Sequence, residues 1–149
     1  MSEALDGDLI RPLGLVALYF AYAEYEVDLL LAALSGGTLS VTPNNSPLGQ
    51  KLATLREALS RLALPEADEL ICLIDNARPL IDLRNVLMHS CILATGRVLP
   101  SDKTRGEQTV TPEQLTELAE GIFTWKERLS AGRQLRLMRA LERTTHGGT

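Results

Sequence analysis

Three polar residues, Arg84, Asn85 and His89, stand near the end of a strongly apolar stretch of this 149-residue chain. Polar and charged groups are costly to place among leucines, so they indicate a task for this stretch. Arginine supplies a fixed cation, asparagine a neutral hydrogen-bonding group, and histidine a group that titrates near neutral pH. This combination suits the chemistry of phosphate groups.

A wider polar stripe runs through the same stretch. On an ideal helix, residues spaced three and four apart share one face, and this stripe contains Asp75, Arg78, Asp82, Asn85 and His89. One interpretation is a narrow solvent face with an i,i+4 ion pair between Arg78 and Asp82. The other is a polar seam that faces a cleft or a second subunit. The first is favoured for the two acids, and the second for Asn85 and His89.

Arg84 departs from this stripe, because five residues at 100° per residue set it about 140° from His89. The two side chains can meet if the long arginine swings across, if a kink at Pro79 changes the helix phase, or if they approach across a dimer axis. The alternative is that Arg84 reaches into solvent and that His89 is a helix-end histidine favoured by the dipole.

The elements that must position these residues are predicted to be helices. Hydrophobic residues make up 45% of the chain but aromatic residues only 4%, so leucine and alanine must fill the core. Turn and capping patterns predict helices over residues 8–34, 46–63, from 64 to the Arg84 motif, and 111–143, with an interruption at 130–132 and a frayed tail over 144–149. We therefore predict an all-α fold, an antiparallel four-helix bundle in a single domain over residues 1–149.

The third helix should be the buried centre of that bundle, since apolar residues cover most of its circumference. Pro79 removes one backbone hydrogen bond and should kink this helix. Between the third and fourth helices, residues 91–93 and 108–110 are the strand-like pieces, and they favour a short β-hairpin. Thr111-Pro112-Glu113-Gln114 is a capping box with proline at the first helical position.

Charge and cysteine content limit the partners and the cellular compartment that we expect for the protein. The net charge is −4, so the whole chain does not attract nucleic acid. Cys72 and Cys91 lie in apolar sequence without a Cys-x-x-Cys pattern, and we expect them to be reduced core residues. The first residues are acidic rather than basic, and the apolar run over residues 13–23 is too short to span a bilayer. We therefore expect a soluble cytoplasmic protein with no membrane association.

The last helix carries a basic stripe. Its members are Arg133, Arg136, Arg139 and Arg143, spaced three, three and four apart. This stripe could steer RNA towards an otherwise acidic protein. It could equally be a solvated helix end that obeys the dipole preference for cations.

The sequence Arg84-Asn85-x-x-x-His89 resembles the Arg-x(4–6)-His signature of the HEPN superfamily, found in prokaryotic toxins and antiviral ribonucleases. The surrounding Leu-Arg-Asn-Val-Leu-Met-His-Ser is similar to the form common there, with asparagine after the arginine and a small residue, Ser90, after the histidine. The four-helix order, the motif at the end of the third helix and Glu24 in the first helix are all compatible with that family.

The resemblance implies a metal-independent endoribonuclease that acts as a homodimer, with both motifs at one composite cleft and no cofactor. His89 would be the general base or acid for attack of a ribose 2′-OH on the adjacent phosphate. Arg84 would stabilise the charge that builds in the transition state, and Asn85 would orient the histidine or bind a phosphate oxygen. The products would be a 2′,3′-cyclic phosphate and a 5′-OH.

Three further residues, Glu24, Asp82 and Ser90, are candidates for a supporting role. For Glu24 we favour the alternative that the first helix simply changes from buried to exposed at this point. The pattern also departs from one HEPN subgroup, in which a tyrosine two residues after the histidine is nucleotidylated by a partner antitoxin. Cys91 stands at that position, so this mode of silencing is doubtful, although an antitoxin or regulatory protein remains an expected partner.

Two other functions remain open. The first is a non-catalytic HEPN-like module that binds a nucleotide, RNA or a protein. The second is a helical interaction bundle with no nucleic-acid partner. The effects of Arg84 and His89 variants on RNA distinguish these functions from the ribonuclease.

Overall fold

A computed structural model describes residues 8–35, 47–92, 96–99 and 108–146 of the chain. Helices dominate these residues, which confirms the predicted all-α class. The elements are α1 (Ile10–Leu34), α2 (Leu48–Ser60), α3 (Pro65–Asn76), α4 (Arg78–Met88), β1 (Cys91–Ile92), β2 (Arg97–Leu99), β3 (Gln108–Thr109), α5 (Pro112–Ala131), a π-helical segment (Gly132–Leu137) and α6 (Met138–His146).

The elements group into two compact units. Unit 1 contains α1 as far as Phe20, then α4, the three strands, and α5 as far as Phe123. Unit 2 contains α1 from Ala21, then α2, α3, the rest of α5, the π-helical segment and α6. The Arg84 motif therefore belongs to unit 1, and the basic stripe belongs to unit 2.

Local sequence signals account for where helices begin. The backbone N–H of Ile10 donates to the carboxylate of Asp8 at 2.9 Å, which satisfies one of the unpaired donors at the start of α1. At the start of α5, Thr111 N donates to Gln114 Oε1 at 3.0 Å and Gln114 N donates to Thr111 Oγ1 at 3.2 Å. This is the predicted capping box. The start of α2 lies two residues beyond the predicted start at residue 46, with Pro47 as its N-cap residue and Leu48 as its first helical residue.

The predicted third helix is two helices rather than one kinked helix. The α-helical hydrogen-bond pattern is interrupted at Ala77, whose N–H donates to the carbonyl of Ile74, so α3 ends at Asn76 and α4 begins at Arg78. Pro79 lies in the first turn of α4, where its missing N–H has no intrahelical acceptor to lose. A proline at this place begins a new helix more easily than it bends a continuous one.

The expected burial of this region is only partly observed. Leu70, Ile74, Ile81 and Leu87 are buried, but Leu83 is 42% exposed. Cys72 is also exposed, which corrects the expectation of a core cysteine. On α3 it lies two residues from both Leu70 and Ile74, and that spacing turns its side chain to the opposite side of the helix.

The strands form a three-stranded antiparallel sheet with the order β1-β2-β3. β1 and β3 fall within the two predicted strand pieces, but they do not pair with each other. Each pairs with β2, with Ile92 opposite Val98 in one ladder and Val98 opposite Gln108 in the other. The missed strand is short and follows Gly96, which has a positive φ of 82°.

The last helical region is interrupted at the predicted place, although not by a break. A π-helical segment begins at Gly132, and α6 continues from it to His146, beyond the predicted end near residue 143. A Cβ atom on Gly132 would lie 2.6 Å from Leu70 Cδ2, so the close approach of α3 requires glycine there. No helix within the described ranges is long and apolar enough to cross a membrane.

Candidate functional site

The guanidinium group of Arg84 is held by two neutral groups of unit 1. Its Cζ atom lies 3.7 Å from the ring centroid of Phe20, a residue of α1 that is only 3% exposed. Its Nη1 donates a hydrogen bond to Asn85 Oδ1 at 3.0 Å. Arg84 itself is half-buried. The alternative in which this side chain simply reaches into solvent is therefore wrong.

Both of these contacts suit a cation. An aromatic ring attracts a cation through its negative face, and an amide oxygen accepts a hydrogen bond without carrying a net charge. The contacts with Phe20 and Asn85 therefore hold the Arg84 guanidinium at two points of unit 1.

His89 lies just beyond the end of α4 and is exposed to solvent. Its backbone N–H donates to the carbonyl of Asn85 at 3.1 Å, so the helical hydrogen-bond pattern reaches the histidine. The imidazole is therefore attached to an ordered backbone and remains accessible to a substrate. Asn85 links the two candidate catalytic residues, since its side chain meets Arg84 and its carbonyl meets His89.

The two supporting candidates beside this motif differ in placement. The hydroxyl of Ser90 donates to the carbonyl of Val86, which caps the last turn of α4. Asp82 is exposed on α4. Ser90 therefore has a local structural task at the helix end, whereas Asp82 is placed to interact with solvent or with a bound partner.

A largely apolar groove lies beside α4 in unit 1. Its volume is about 480 Å³, and its floor includes Leu80, Leu83, Leu87 and Val98. Polar side chains at its margin come from β3 and α5. Leu83, which is 42% exposed, lies in this groove.

Glu24, the third supporting candidate, belongs to unit 2 and is engaged in an ion cluster there. Lys51 of α2 lies 3.0 Å from Glu24 Oε1 and 3.1 Å from Asp28 Oδ1. Lys51 is 4% exposed. Burial lowers the pKa of Lys51, but the hydrogen bonds and charges of Glu24 and Asp28 more than offset this, and the pKa lies above its ordinary value.

Glu26, the neighbouring acid of α1, is also buried and is paired with Arg133. Arg133 Nε lies 3.0 Å from Glu26 Oε2, and Arg133 Nη2 lies 3.2 Å from Glu26 Oε1. This is a two-point contact between the π-helical segment and α1, with only 18% of the arginine side chain and 8% of the glutamate side chain exposed. This contact gives Arg133 a structural role that requires no nucleic acid.

The other arginines of the basic stripe have different surroundings. Arg139 is exposed, and Arg143 is exposed and lies 2.6 Å from Glu66 Oε1. The pKa of Glu66 lies below its ordinary value. The main cause is a hydrogen bond from the backbone N–H of Glu66 to its own carboxylate, and the contact with Arg143 lowers the pKa further. The side chain of Arg136 lies outside the described residues. The stripe is thus not a uniform set of unpaired cations.

Sequence reasoning missed Phe20 and Lys51. Lys51 had a detectable signal, because it stands on the same helical face as Leu48, Leu55 and Leu59, which are buried. A lysine at a core position predicts a buried acidic partner. Phe20 gave no such signal, since an aromatic residue in an apolar run is ordinary core and Arg84 lies 64 positions away.

Within residues 8–35, 47–92, 96–99 and 108–146, no group of three or more His, Cys, Asp or Glu side chains is arranged to hold a metal ion. Comparison of the chain with protein-family models, curated proteins and solved structures finds no match.

Proposed function

We propose that this protein is a metal-independent endoribonuclease of the HEPN toxin or antiviral-defence type. The observation that carries the proposal is an Arg84 guanidinium held by Phe20 and Asn85 in the last turns of α4, with a solvent-accessible His89 just beyond the end of that helix. A fixed cation and a side chain that can accept and donate a proton are the two components that transesterification at a phosphate requires.

Each residue has a defined part in the proposed reaction. His89 removes the proton from a ribose 2′-OH, and the oxygen attacks the adjacent phosphorus. Arg84 donates hydrogen bonds to the phosphate oxygens, on which negative charge builds. The bond to the 5′ oxygen then breaks, and that oxygen takes a proton, which leaves a 2′,3′-cyclic phosphate and a 5′-OH. Asn85 holds the guanidinium through its side-chain oxygen.

The proposal includes a cytoplasmic homodimer built on an antiparallel four-helix bundle. Arg84 and His89 are about 140° apart around an ideal helix, and Arg84 is turned towards Phe20. A composite site, in which Arg84 of one protomer acts with His89 of its partner, removes this geometric difficulty. An antitoxin or another regulatory protein would hold the site silent.

The direct test is cleavage of end-labelled mixed-sequence RNA in excess EDTA by the wild type, His89→Ala and Glu120→Gln. We expect the wild type to leave cyclic phosphate ends and His89→Ala to be slower by about 10³-fold, the usual scale for a general acid or base. Glu120→Gln, at an exposed position on α5 of the same unit, is the control and should retain activity. RNA that stays intact with the wild-type dimer contradicts the ribonuclease.

A second experiment tests the composite site. Inactive Arg84→Ala and His89→Ala chains are mixed, unfolded and refolded together. In a composite dimer, the shared cleft of each heterodimer keeps one wild-type Arg84 and one wild-type His89, contributed by different protomers, so activity should return to a fraction of the wild-type value. A mixture that stays as inactive as its two components, although heterodimers form, contradicts a composite site.

A non-catalytic module that binds a nucleotide or RNA is the second candidate, and the same arrangement of Arg84 supports it. Binding without cleavage would appear as retained RNA affinity in His89→Ala and loss of affinity in Arg84→Ala, with no product from the wild type. In a plain interaction bundle, both variants would change stability but not RNA affinity.

Arg139 and Arg143 are proposed to steer RNA towards the site, with Arg136 as a third member of this group. Arg133 is less suited to this role because Glu26 occupies its guanidinium. Replacing Arg139 and Arg143 by alanine should weaken RNA binding at low salt and flatten its salt dependence, by about 0.7 in logarithmic slope for each lost phosphate contact. An unchanged slope removes these residues from the interface.

A further inference from the structure

Phe20 contacts Arg84 of the candidate site from α1, a helix that is distant from the motif in the sequence. It is buried in α1, and the Arg84 guanidinium lies over its ring at 3.7 Å. Asn85 holds the same guanidinium at a second point, through Nη1. The two contacts engage different atoms of the group, since Cζ lies over the face of the Phe20 ring and Nη1 donates to Asn85.

A guanidinium held in this way is prepared for an oxyanion. A free arginine side chain samples many rotamers, and binding a phosphate in one orientation loses that freedom. Contact with an aromatic face restricts the plane of the group, and the fixed fork of N–H donors matches two oxygens of a phosphate only in a defined orientation. The contact with Phe20 therefore reduces the ordering that substrate binding would otherwise require.

We infer that Phe20 is a positioning residue, which holds Arg84 in the plane from which it donates to the oxygens of a scissile phosphate. This inference rests on the proposed function. Phe20 itself touches neither the phosphate nor the attacking oxygen. It acts through Arg84, and an aliphatic residue of similar volume cannot replace it because the ring face supplies the attraction.

The first test observes Arg84 without RNA. The side-chain Nε–H resonance of Arg84 is assigned by its loss in Arg84→Lys, and the ring current of Phe20 should shift it upfield. Phe20→Leu should remove this shift and Phe20→Tyr should retain it. Val16→Ala, which shortens another buried residue on the same face of α1, should also retain it. An upfield shift that persists in Phe20→Leu overturns the inference.

The second test measures RNA cleavage by the same variants. We expect kcat to fall about tenfold in Phe20→Leu with little change in KM, since the donor is misplaced rather than removed. Phe20→Tyr should restore most of kcat, and Val16→Ala should keep it within about twofold although it is less stable. A loss in Val16→Ala as large as that in Phe20→Leu would assign Phe20 to stability alone and overturn the inference.

Failure of the proposed function gives a different result. If the wild type cleaves no RNA, the ribonuclease is rejected, and the positioning role is decided with a non-cleavable 2′-deoxy oligonucleotide. In that case Phe20→Leu should weaken binding several-fold relative to both Phe20→Tyr and Val16→Ala. Equal affinity in all three variants overturns the inference.

Discussion

Arg84 in unit 1 lies over the ring of Phe20 and donates to an amide oxygen, whereas Arg133 in unit 2 donates through two nitrogens to the carboxylate of Glu26. Both arginines are partly withdrawn from solvent. A carboxylate meets one guanidinium at two points, and an aromatic ring and an amide oxygen meet the other. The two arginines therefore differ in the chemistry of these partners rather than in burial.

Lys51 belongs with Arg133 in this comparison. Two carboxylates, Glu24 and Asp28, meet its ammonium group, and the cluster joins α1 to α2 within unit 2. The three acids of α1, Glu24, Glu26 and Asp28, thus have cationic partners. Unit 2 uses these charges to join helices, whereas the Arg84 guanidinium of unit 1 contacts an aromatic ring and an amide.

The largest effect on stability should come from separating Glu26 and Arg133. Glu26→Leu leaves the arginine charge shielded from water without its partner, which should lower the free energy of unfolding by about 3 kcal/mol. Replacing both residues, as Glu26→Leu with Arg133→Met, should recover most of this loss because no unpaired charge remains. Urea unfolding measures both values. A single variant as stable as the wild type would contradict a structural ion pair.

A smaller effect, with a distinctive pH dependence, is expected for Lys51→Met. At pH 7 it should cost about 2 kcal/mol, less than a fully buried pair because solvent reaches Glu24 and Asp28. Folding raises the pKa of Lys51, so its stabilisation is complete below the ordinary lysine pKa of about 10.4 and is lost as pH rises through the folded value.

The measurement for Lys51 is urea unfolding of the wild type and Lys51→Met across alkaline pH. The difference between them should be constant up to about pH 9 and should shrink above about pH 10.4. A difference that grows as pH rises would have the wrong sign for a raised pKa and would contradict the assigned cluster.

The smallest effect should come from the turn between α2 and α3, where Ala63 has a φ of 52°. A left-handed conformation costs a residue with a Cβ atom about 1 kcal/mol, which glycine avoids. Ala63→Gly should therefore stabilise the protein by up to about 1 kcal/mol. When Ala63→Gly is combined with Glu26→Leu, it should raise the free energy of unfolding without changing RNA cleavage. A destabilised variant, measured by urea unfolding, would contradict strain at this turn.

Features that depend on neighbouring residues could be predicted from the sequence, whereas features that depend on distant residues could not. The capping box at Thr111 and Gln114 is local, and its two hydrogen bonds form as predicted. The interruption at Gly132 was also visible, but the close approach of Leu70 to Gly132 was not, because the two residues are 62 positions apart. The break at Ala77 was mistaken for a kink at Pro79, because proline chemistry fits both a helix start and a bent helix.

The candidate site was predicted only where it is contiguous in sequence. Arg84, Asn85 and His89 were recognised because polar residues in an apolar segment are conspicuous. Their contact with Phe20, and the difference between Arg84 and Arg133, depend on which distant side chain meets each guanidinium. Helical periodicity gives the face of a residue but not its tertiary partner.

The most direct measurement is RNA cleavage by Arg84→Ala beside the double variant Glu26→Leu with Arg133→Met, both confirmed as folded by circular dichroism. Loss of one transition-state donor should lower kcat/KM of Arg84→Ala by about 10²–10³-fold. The double variant should remain within about threefold of the wild type, since it removes an arginine that is already neutralised. Equal losses in the two variants, or full activity in Arg84→Ala, would contradict the distinction between the two arginines.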